Sequence, residues 1–338
     1  MVAVMDLLER RIVVAPMAGG PTTTGLVTAA ARSGAIGFLA AGYKQPAVVA
    51  AEVAEVRAAG VPYGLNIFVP VPSPADIEPL ERYRKTLQTE AGRYDVSLPP
   101  LRLDDDDHFA AKIEIAVAAA VPLVSFAFGV PDRAAVRALR AAGSTVLITV
   151  TSADEARAAL AAGPDVLIAQ GGSAGGHAST TRPAGFTGGT TTLDLLGRVI
   201  AVADVPVVAA GGTGTAGDVR GLLGAGALAV QCGTLFLLAE EAGTRPAQRE
   251  AMLSGRYDTT VVTRAFTGQP ARALRNRFTD AHSAAAPVGY PAVHHLTAPI
   301  RAAAAARGDA GALNLWAGTA HACARPGSTA EIIERLRP

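Results

Sequence analysis

Apolar positions recur along this chain in a fixed order: an alanine-rich stretch with helical spacing, a glycine, then a short run that is apolar on both faces. "EVRAAGVPYGLNIF" (55–68), "VRALRAAGSTVLITV" (136–150), "EARAALAAGPDVLIAQ" (155–170) and "VRGLLGAGALAVQCG" (219–233) all show it. The glycine reads as a helix C-terminal cap. The run after it lacks the alternation of a half-exposed strand and reads as a strand buried in a parallel sheet. Such runs predict strands near 12–16, 36–39, 63–68, 122–127, 145–149, 165–169, 206–210 and 227–231. Helices are predicted near 25–33, 46–59, 108–120, 131–142, 152–162, 192–203, 215–224 and 238–254. Eight strand–helix units over about 240 residues predict a (β/α)8 TIM barrel. A doubly wound sheet uses the same units, and the count of eight favours closure over it.

Two segments fall outside the repeat. Residues 69–107 are proline-rich at both ends around a polar helix, an insertion after the third strand. Residues 258–338 mix loops with an alanine-rich helix over 298–307. The expected organisation is a barrel over 1–257, carrying the insertion, and a C-terminal extension over 258–338. Both additions are expected to cover the barrel mouth.

Half of the 338 residues are hydrophobic, enough for a large core, and with aromatics at 5% that core must be mostly Ala, Val and Leu. A formal net charge of +1 with no basic block argues against nucleic acid or an anionic membrane as partner. Cys232 and Cys323 make neither a disulfide framework nor a zinc site. Asp6, Glu9, Arg10 and Arg11 stand where a signal peptide needs apolar residues, and no apolar run is long enough to span a bilayer. A cytoplasmic protein is expected.

A barrel of this kind builds its site at the C-terminal ends of its strands. Glycine-rich turns follow the seventh strand (Gly211-Gly212-Thr213-Gly214) and the eighth (Gln231-Cys232-Gly233-Thr234). Bare backbone there lets N–H groups converge on an anion, so a phosphorylated ligand is expected. Gly212 to Gly217 spells G-x-G-x-x-G, but it comes late in the chain and Gln231 stands where a ribose-binding acid belongs. Asn66 and Gln170 are strand-end amides, suited either to capping loops or to a flat heterocycle in the mouth. His177 lies in "AQGGSAGGHAST" (169–180), a loop of almost bare backbone. It reads as an imidazole that reaches into the mouth and changes charge near physiological pH, or as a solvent-exposed loop residue.

Asp104–Asp107 reads as a solvated acidic loop. His294-His295 diverge as neighbours, and no metal site is expected. Cys232 reads as a small apolar residue at a buried strand end. Trp316 reads as a lock of the tail onto the barrel.

Six motifs together resemble the nitronate monooxygenase family of FMN-dependent barrel enzymes: "APMAGG" (15–20), "GLNIF" (64–68), "VSFAFGVP" (124–131), "AQGGSAGGH" (169–177), "VPVVAAGGTGT" (205–215) and "QCGTLFL" (231–237). "YPAVHHLTAP" (290–299) and "NLWAG" (314–318) are similar to its class I branch. The resemblance implies that Met17 and Asn66 contact the FMN ring and its surroundings. It implies that Gln170, Gly175 and Gly176 line the cofactor, and that Gly211, Gly212, Gln231, Cys232, Gly233 and Thr234 hold the phosphate. His177 matches the catalytic histidine.

In that family an alkyl nitronate, such as propionate 3-nitronate, gives up an electron to FMN. Combination with O2 then yields a carbonyl compound and nitrite. A neutral nitroalkane would instead require His177 as base. Two positions depart from the family pattern: Ser173 replaces a glutamate, and Ala178-Ser179 replace a basic residue and glycine. Two alternatives stay open: an FMN-dependent NAD(P)H reductase of quinones or enoyl thioesters on the same barrel, and a flavin-binding protein without turnover. Homo-oligomerisation is also open.

Overall fold

The computed structural model describes residues 8–74 and 76–338; Asp6, part of the charged N-terminal cluster, lies outside them. Eight parallel strands close into a barrel: β1 (Ile12–Val14), β2 (Ile36–Ala40), β3 (Tyr63–Phe68), β4 (Leu123–Ala127), β5 (Thr145–Val150), β6 (Val166–Gln170), β8 (Val207–Ala210) and β9 (Ala229–Cys232), with β9 pairing back to β1. Each lies on a predicted run. β1, β2, β3 and β8 are buried along their whole length, as a sheet covered on both faces requires. Val13, Phe38, Leu123, Leu147, Ile168 and Val208 cluster together. Their sequence neighbours Val14, Leu39, Val124, Ile148, Leu167 and Ala209 pack instead into the larger core with the surrounding helices. That alternation is the period-two pleat wrapped into a cylinder.

Helices follow the strands as predicted, with one exception. Of residues 238–254, only Pro246–Leu253 is α-helical, after a 3-10 turn over Thr234–Leu238. The backbone between them serves tertiary contacts instead. Glu241 O accepts from the Thr23 hydroxyl at 2.6 Å, and Gly243 N donates to Pro21 O at 3.0 Å.

The insertion holds two helices rather than one, Glu78–Thr86 and Gln88–Arg93. In the extension the helix runs over Ala292–Ala306, beginning earlier than predicted and continuing through Pro299. Proline removes an N–H and favours a stop. Here Val293, Leu296, Ile300 and Ala304, spaced along one face, are buried and hold the helix together.

These additions share a core of their own. Leu80, Tyr83, Leu87 and Tyr94 of the insertion pack with Phe266, Phe278, Leu296 and Leu315 of the extension. Arg277 bonds Glu90 at 2.7 Å, and the Tyr83 hydroxyl donates to Ala265 O at 2.7 Å. The extension part of this body lines the barrel mouth, while the insertion packs behind it. Within the extension β10 (Thr260–Thr263) and β11 (Ala271–Leu274) form a hairpin, and β7, the two residues Gly176–His177, adds to its edge.

Candidate active site

The C-terminal ends of the barrel strands open on a cavity of about 360 Å³, a size typical of small-molecule sites. Met17, Asn66, Gln170, Gly175, Gly176, His177, Gly211, Gly212, Gln231, Cys232, Gly233 and Thr234 all line it. The barrel therefore brings together the residues expected from the sequence to form the site.

At one end the turns after β8 and β9 form a cradle of bare backbone. Gly212 has φ +70, and a Cβ there would stand 2.8 Å from that of Ser173. The following helix begins at Ala216, capped by Thr215 and Asp218. The Thr213 hydroxyl is buried without a hydrogen-bond partner; it approaches the Cys232 thiol without the geometry of a bond. An orphaned hydroxyl beside glycine turns and a helix start fits a phosphate monoester. Burial pushes the Cys232 thiol up to about 12, so it is a neutral wall group.

The two amides differ. Asn66 Oδ1 accepts from Ser125 Oγ at 2.9 Å, which leaves its Nδ2 hydrogens for the cavity. Gln170 is engaged at both ends by the glycine loop: Nε2 donates to His177 O at 2.9 Å, and Oε1 accepts from Ser179 N at 2.7 Å. It lines the cavity while bracing the chain that carries His177.

His177 is not at a loop tip. It sits in β7, opposite Ala271. Ala178 N donates to Pro270 O at 2.8 Å, and Gln269 Nε2 donates to the carbonyls of Ala178 and Thr180. Arg272 Nε donates to Gly172 O at 2.7 Å. Gly175 is forced by this packing, since a Cβ there would stand 2.4 Å from Gly318 N. The imidazole is walled by Phe128, Tyr290 and Trp316, with ring centroids 5.4, 6.1 and 5.2 Å away.

Its remaining surface faces the cavity it lines. Burial first, and the Arg301 charge second, lower its pKa to about 3. The expected charge switch near physiological pH is thus overturned: enclosure disfavours the cation, and the imidazole is neutral at pH 7. Nε2 lies 2.9 Å from the Thr267 hydroxyl, which also stands 3.2 Å from Gln269 O. Donation by Thr267 to Nε2 puts the imidazole proton on Nδ1; donation to Gln269 O puts it on Nε2.

The departure at Ser179 has a structural task. Its hydroxyl accepts from Phe128 N at 2.9 Å, holding Phe128 at φ +73 against the imidazole.

Sequence reading missed the groups the extension delivers. His294, Arg301, Asn314 and Trp316 line the cavity, as does Arg245 from the segment after β9. Arg301 is 7% exposed, and burial lowers its pKa to about 10. Its Nε donates to Thr297 Oγ1 at 3.2 Å and one Nη to His294 O at 2.8 Å. Among the described residues no aspartate or glutamate lines the cavity. Helical spacing from His294 and burial on an otherwise apolar face were the only signals of Arg301. Trp316 packs into the lid core, contacting Phe266 edge-on at 5.6 Å, and also lines the cavity.

Asp104–Asp107 is not simply solvated. Asp105 bonds His295 Nε2 at 2.7 Å and Asp107 pairs with buried Lys112 at 2.8 Å, while Asp104 and Asp106 face water. His294 stacks on Tyr43 at 4.3 Å, so the two adjacent histidines do diverge.

Comparison with known proteins places these features in context. The model of the nitronate monooxygenase family matches residues 3–338. A "probable nitronate monooxygenase" of Staphylococcus aureus (strain Newman) is 33% identical over 318 residues, covering 92% of this chain and 88% of the relative. A crystal structure of nitroalkane oxidase from Streptomyces ansochromogenes has a TM-score of 0.94 at 42% identity, covering 99% of this chain and 96% of that one. FabK from Thermotoga maritima has a TM-score of 0.72 at 24% identity, a likeness of fold alone. No helix among the described residues is long and apolar enough to cross a membrane.

Proposed function

The chain belongs to the nitronate monooxygenase family of flavin oxidoreductases, and on that premise we propose that it binds FMN and oxidises alkyl nitronates, propionate 3-nitronate among them, with O2 to carbonyl compounds and nitrite. The observation that carries this reading is a neutral His177 in a cavity that holds two arginines and no carboxylate. Such a site attracts an anion and offers it an N–H.

FMN, when bound, supplies the electron acceptor and the route to O2. The Gly211-Gly212-Thr213 turn and Gln231–Thr234 would hold its phosphate, and Asn66 Nδ2 and Met17 would border its ring. The residues then divide the remaining work. In the tautomer where Thr267 donates to Nε2, His177 has Nδ1–H to offer a nitronate oxygen; in the other, Nε2–H is held by Thr267. Phe128, Tyr290 and Trp316 exclude water around that bond.

The likeness to nitroalkane oxidase supports a second reading, in which His177 removes the α-proton of a neutral nitroalkane. An imidazole that holds a proton only near pH 3 is a poor acceptor for it. Oxygen uptake with preformed nitronates and with the parent nitroalkanes separates the two. Faster turnover of the nitronate supports the proposal; equal or faster turnover of the nitroalkane overturns it. Rapid anaerobic bleaching of the flavin by NADH or NADPH would favour a reductase instead.

A further inference from the structure

We propose that substrate reaches the site through a second, solvent-open cavity, and that the Tyr43 ring is the gate between the two cavities and sets how bulky a nitronate can pass. The inference rests on the nitronate reading above and adds the route by which the substrate arrives.

The second cavity has a volume of about 160 Å³. Gln45, Pro70, Arg102, Asp106 and His108 line it and are exposed, so it opens to water. Of the residues that line the larger cavity, only Gly19 is exposed. Gly19 follows β1, which pairs with β9, so an opening there lies on the side of the phosphate turns, where the cofactor would sit. Tyr43, Phe68 and His294 line both cavities and form the partition between them. Phe68 packs on Phe128, and Phe128 walls His177, so a molecule that passes the partition arrives at the imidazole. Charges along the route are paired: Asp105 with His295, Asp107 with Lys112, and Lys44 with Glu52. The route therefore does not present a single sign of charge to an anion.

The three side chains of the partition are held differently. Phe68 is wedged, since a Cβ on Gly42 would stand 2.2 Å from its ring. His294 is carried by the long helix of the extension, and its Nδ1 stands 3.4 Å from an Nη of Arg301. Tyr43 is held by ring contacts alone: it stacks on His294 at 4.3 Å and meets Phe68 edge-on at 5.5 Å. Its hydroxyl has no hydrogen-bond partner among the described residues; it approaches that of Tyr290 without the geometry of a bond. The backbone beneath is fixed. Tyr43 has φ +67, and its N–H donates to Asp107 Oδ1 at 2.9 Å, on the carboxylate that buried Lys112 pairs at 2.8 Å. A ring that breaks no hydrogen bond when it turns about χ1, on a backbone that stays in place, is a hinged leaf.

Two measurements on the flavin-loaded protein test the gate. Trp316 is the chain's only tryptophan and lines the larger cavity, so its quenching by acrylamide reports entry of a small molecule without any turnover. Tyr43→Gly removes the ring and suits the left-handed backbone there; it should raise the quenching at unchanged flavin content. Val71 lines the second cavity and not the larger one, so Val71→Phe narrows the route without touching the site, and should lower the quenching. In turnover, the ratio of kcat/KM for cyclohexyl nitronate over ethyl nitronate should rise about tenfold in Tyr43→Gly, the low end of steric discrimination by a pocket, and should fall in Val71→Phe.

Quenching that is unchanged in both variants overturns the proposal. So does a wild-type ratio in Val71→Phe, because Tyr43 would then be a wall of the site and not a gate. If Tyr43→Gly does not fold, Tyr43→Ala and Val71→Phe carry the same comparison. If no nitronate is turned over at all, the nitronate reading fails while the quenching still decides the route.

Discussion

His177 and Ala271 stand opposite each other in an antiparallel sheet, one from the glycine loop after the sixth barrel strand and the other from the extension. The candidate catalytic imidazole is thereby fixed by a strand pairing as well as by the Gln170 brace at the base of its own loop. Its ring is held by Thr267 and enclosed by three aromatic rings.

Replacement His177→Asn should leave flavin content unchanged and lower kcat/KM for nitronates by about 10²–10⁴, the usual worth of a positioned proton-handling group. Oxygen uptake measured beside the flavin absorbance checks both halves. Unchanged turnover would remove His177 from the chemistry.

The half-buried, neutral His177 makes stability depend on pH. Its pKa is about 3 in the folded protein against an ordinary 6.5. Between those values the unfolded chain takes up a proton there and the folded chain does not. Stability present above pH 6.5 is therefore lost as pH falls through that window. Burial shifts His294 and His282 in the same direction. Thermal denaturation should show Tm dropping from pH 7 to pH 4.5, and dropping less in His177→Gln. An equal drop in the variant would mean that the ring is not shielded.

The Thr213 hydroxyl has no hydrogen-bond partner among the described residues beyond its approach to the Cys232 thiol. Thr213→Val should leave apoprotein stability unchanged or raised, because it removes an unsatisfied buried group. FMN should then bind about tenfold more weakly, while riboflavin, which lacks the phosphate, changes little. Flavin fluorescence quenching measures both. Equal losses for the two flavins would move the phosphate elsewhere.

Gly175→Ala sets a Cβ 2.4 Å from the backbone nitrogen of Gly318. The backbone has little room to shift, and the cost should be about 1–3 kcal/mol. Gly92→Ala is the control: it lies in a helix with nothing within 4 Å of the added carbon, and should stabilise by about 0.5–1 kcal/mol. Urea denaturation of the two variants should give opposite signs.

The barrel was readable in the chain because its signal is local. Each strand is a short run such as Thr145–Val150 after a helix stopped at Gly143, and the cavity-lining residues sit at strand ends that the repeat itself marks. A covering over the mouth was expected from the extra segments, but its internal pairings were not readable. β7 has two residues and no periodicity, and only its pairing with residues about a hundred positions later makes it a strand. Arg301 and Arg245 belong to no motif, His294 belongs to one that did not mark it as a site residue, and all three reach the cavity through a tertiary fold built on a core shared by the insertion and the extension. Enclosure by that lid also decides the charge of His177, which loop composition alone misjudged.

The bonds that seat the imidazole run from Gly172 and His177 to Thr267 and Arg272, 90 to 100 positions later. A ribosome that has finished the eighth barrel unit has not yet made these partners. The site is consequently completed only after the cylinder's own strands have been synthesised, and a translation product ending before Thr267 lacks every group that seats the histidine from the far side.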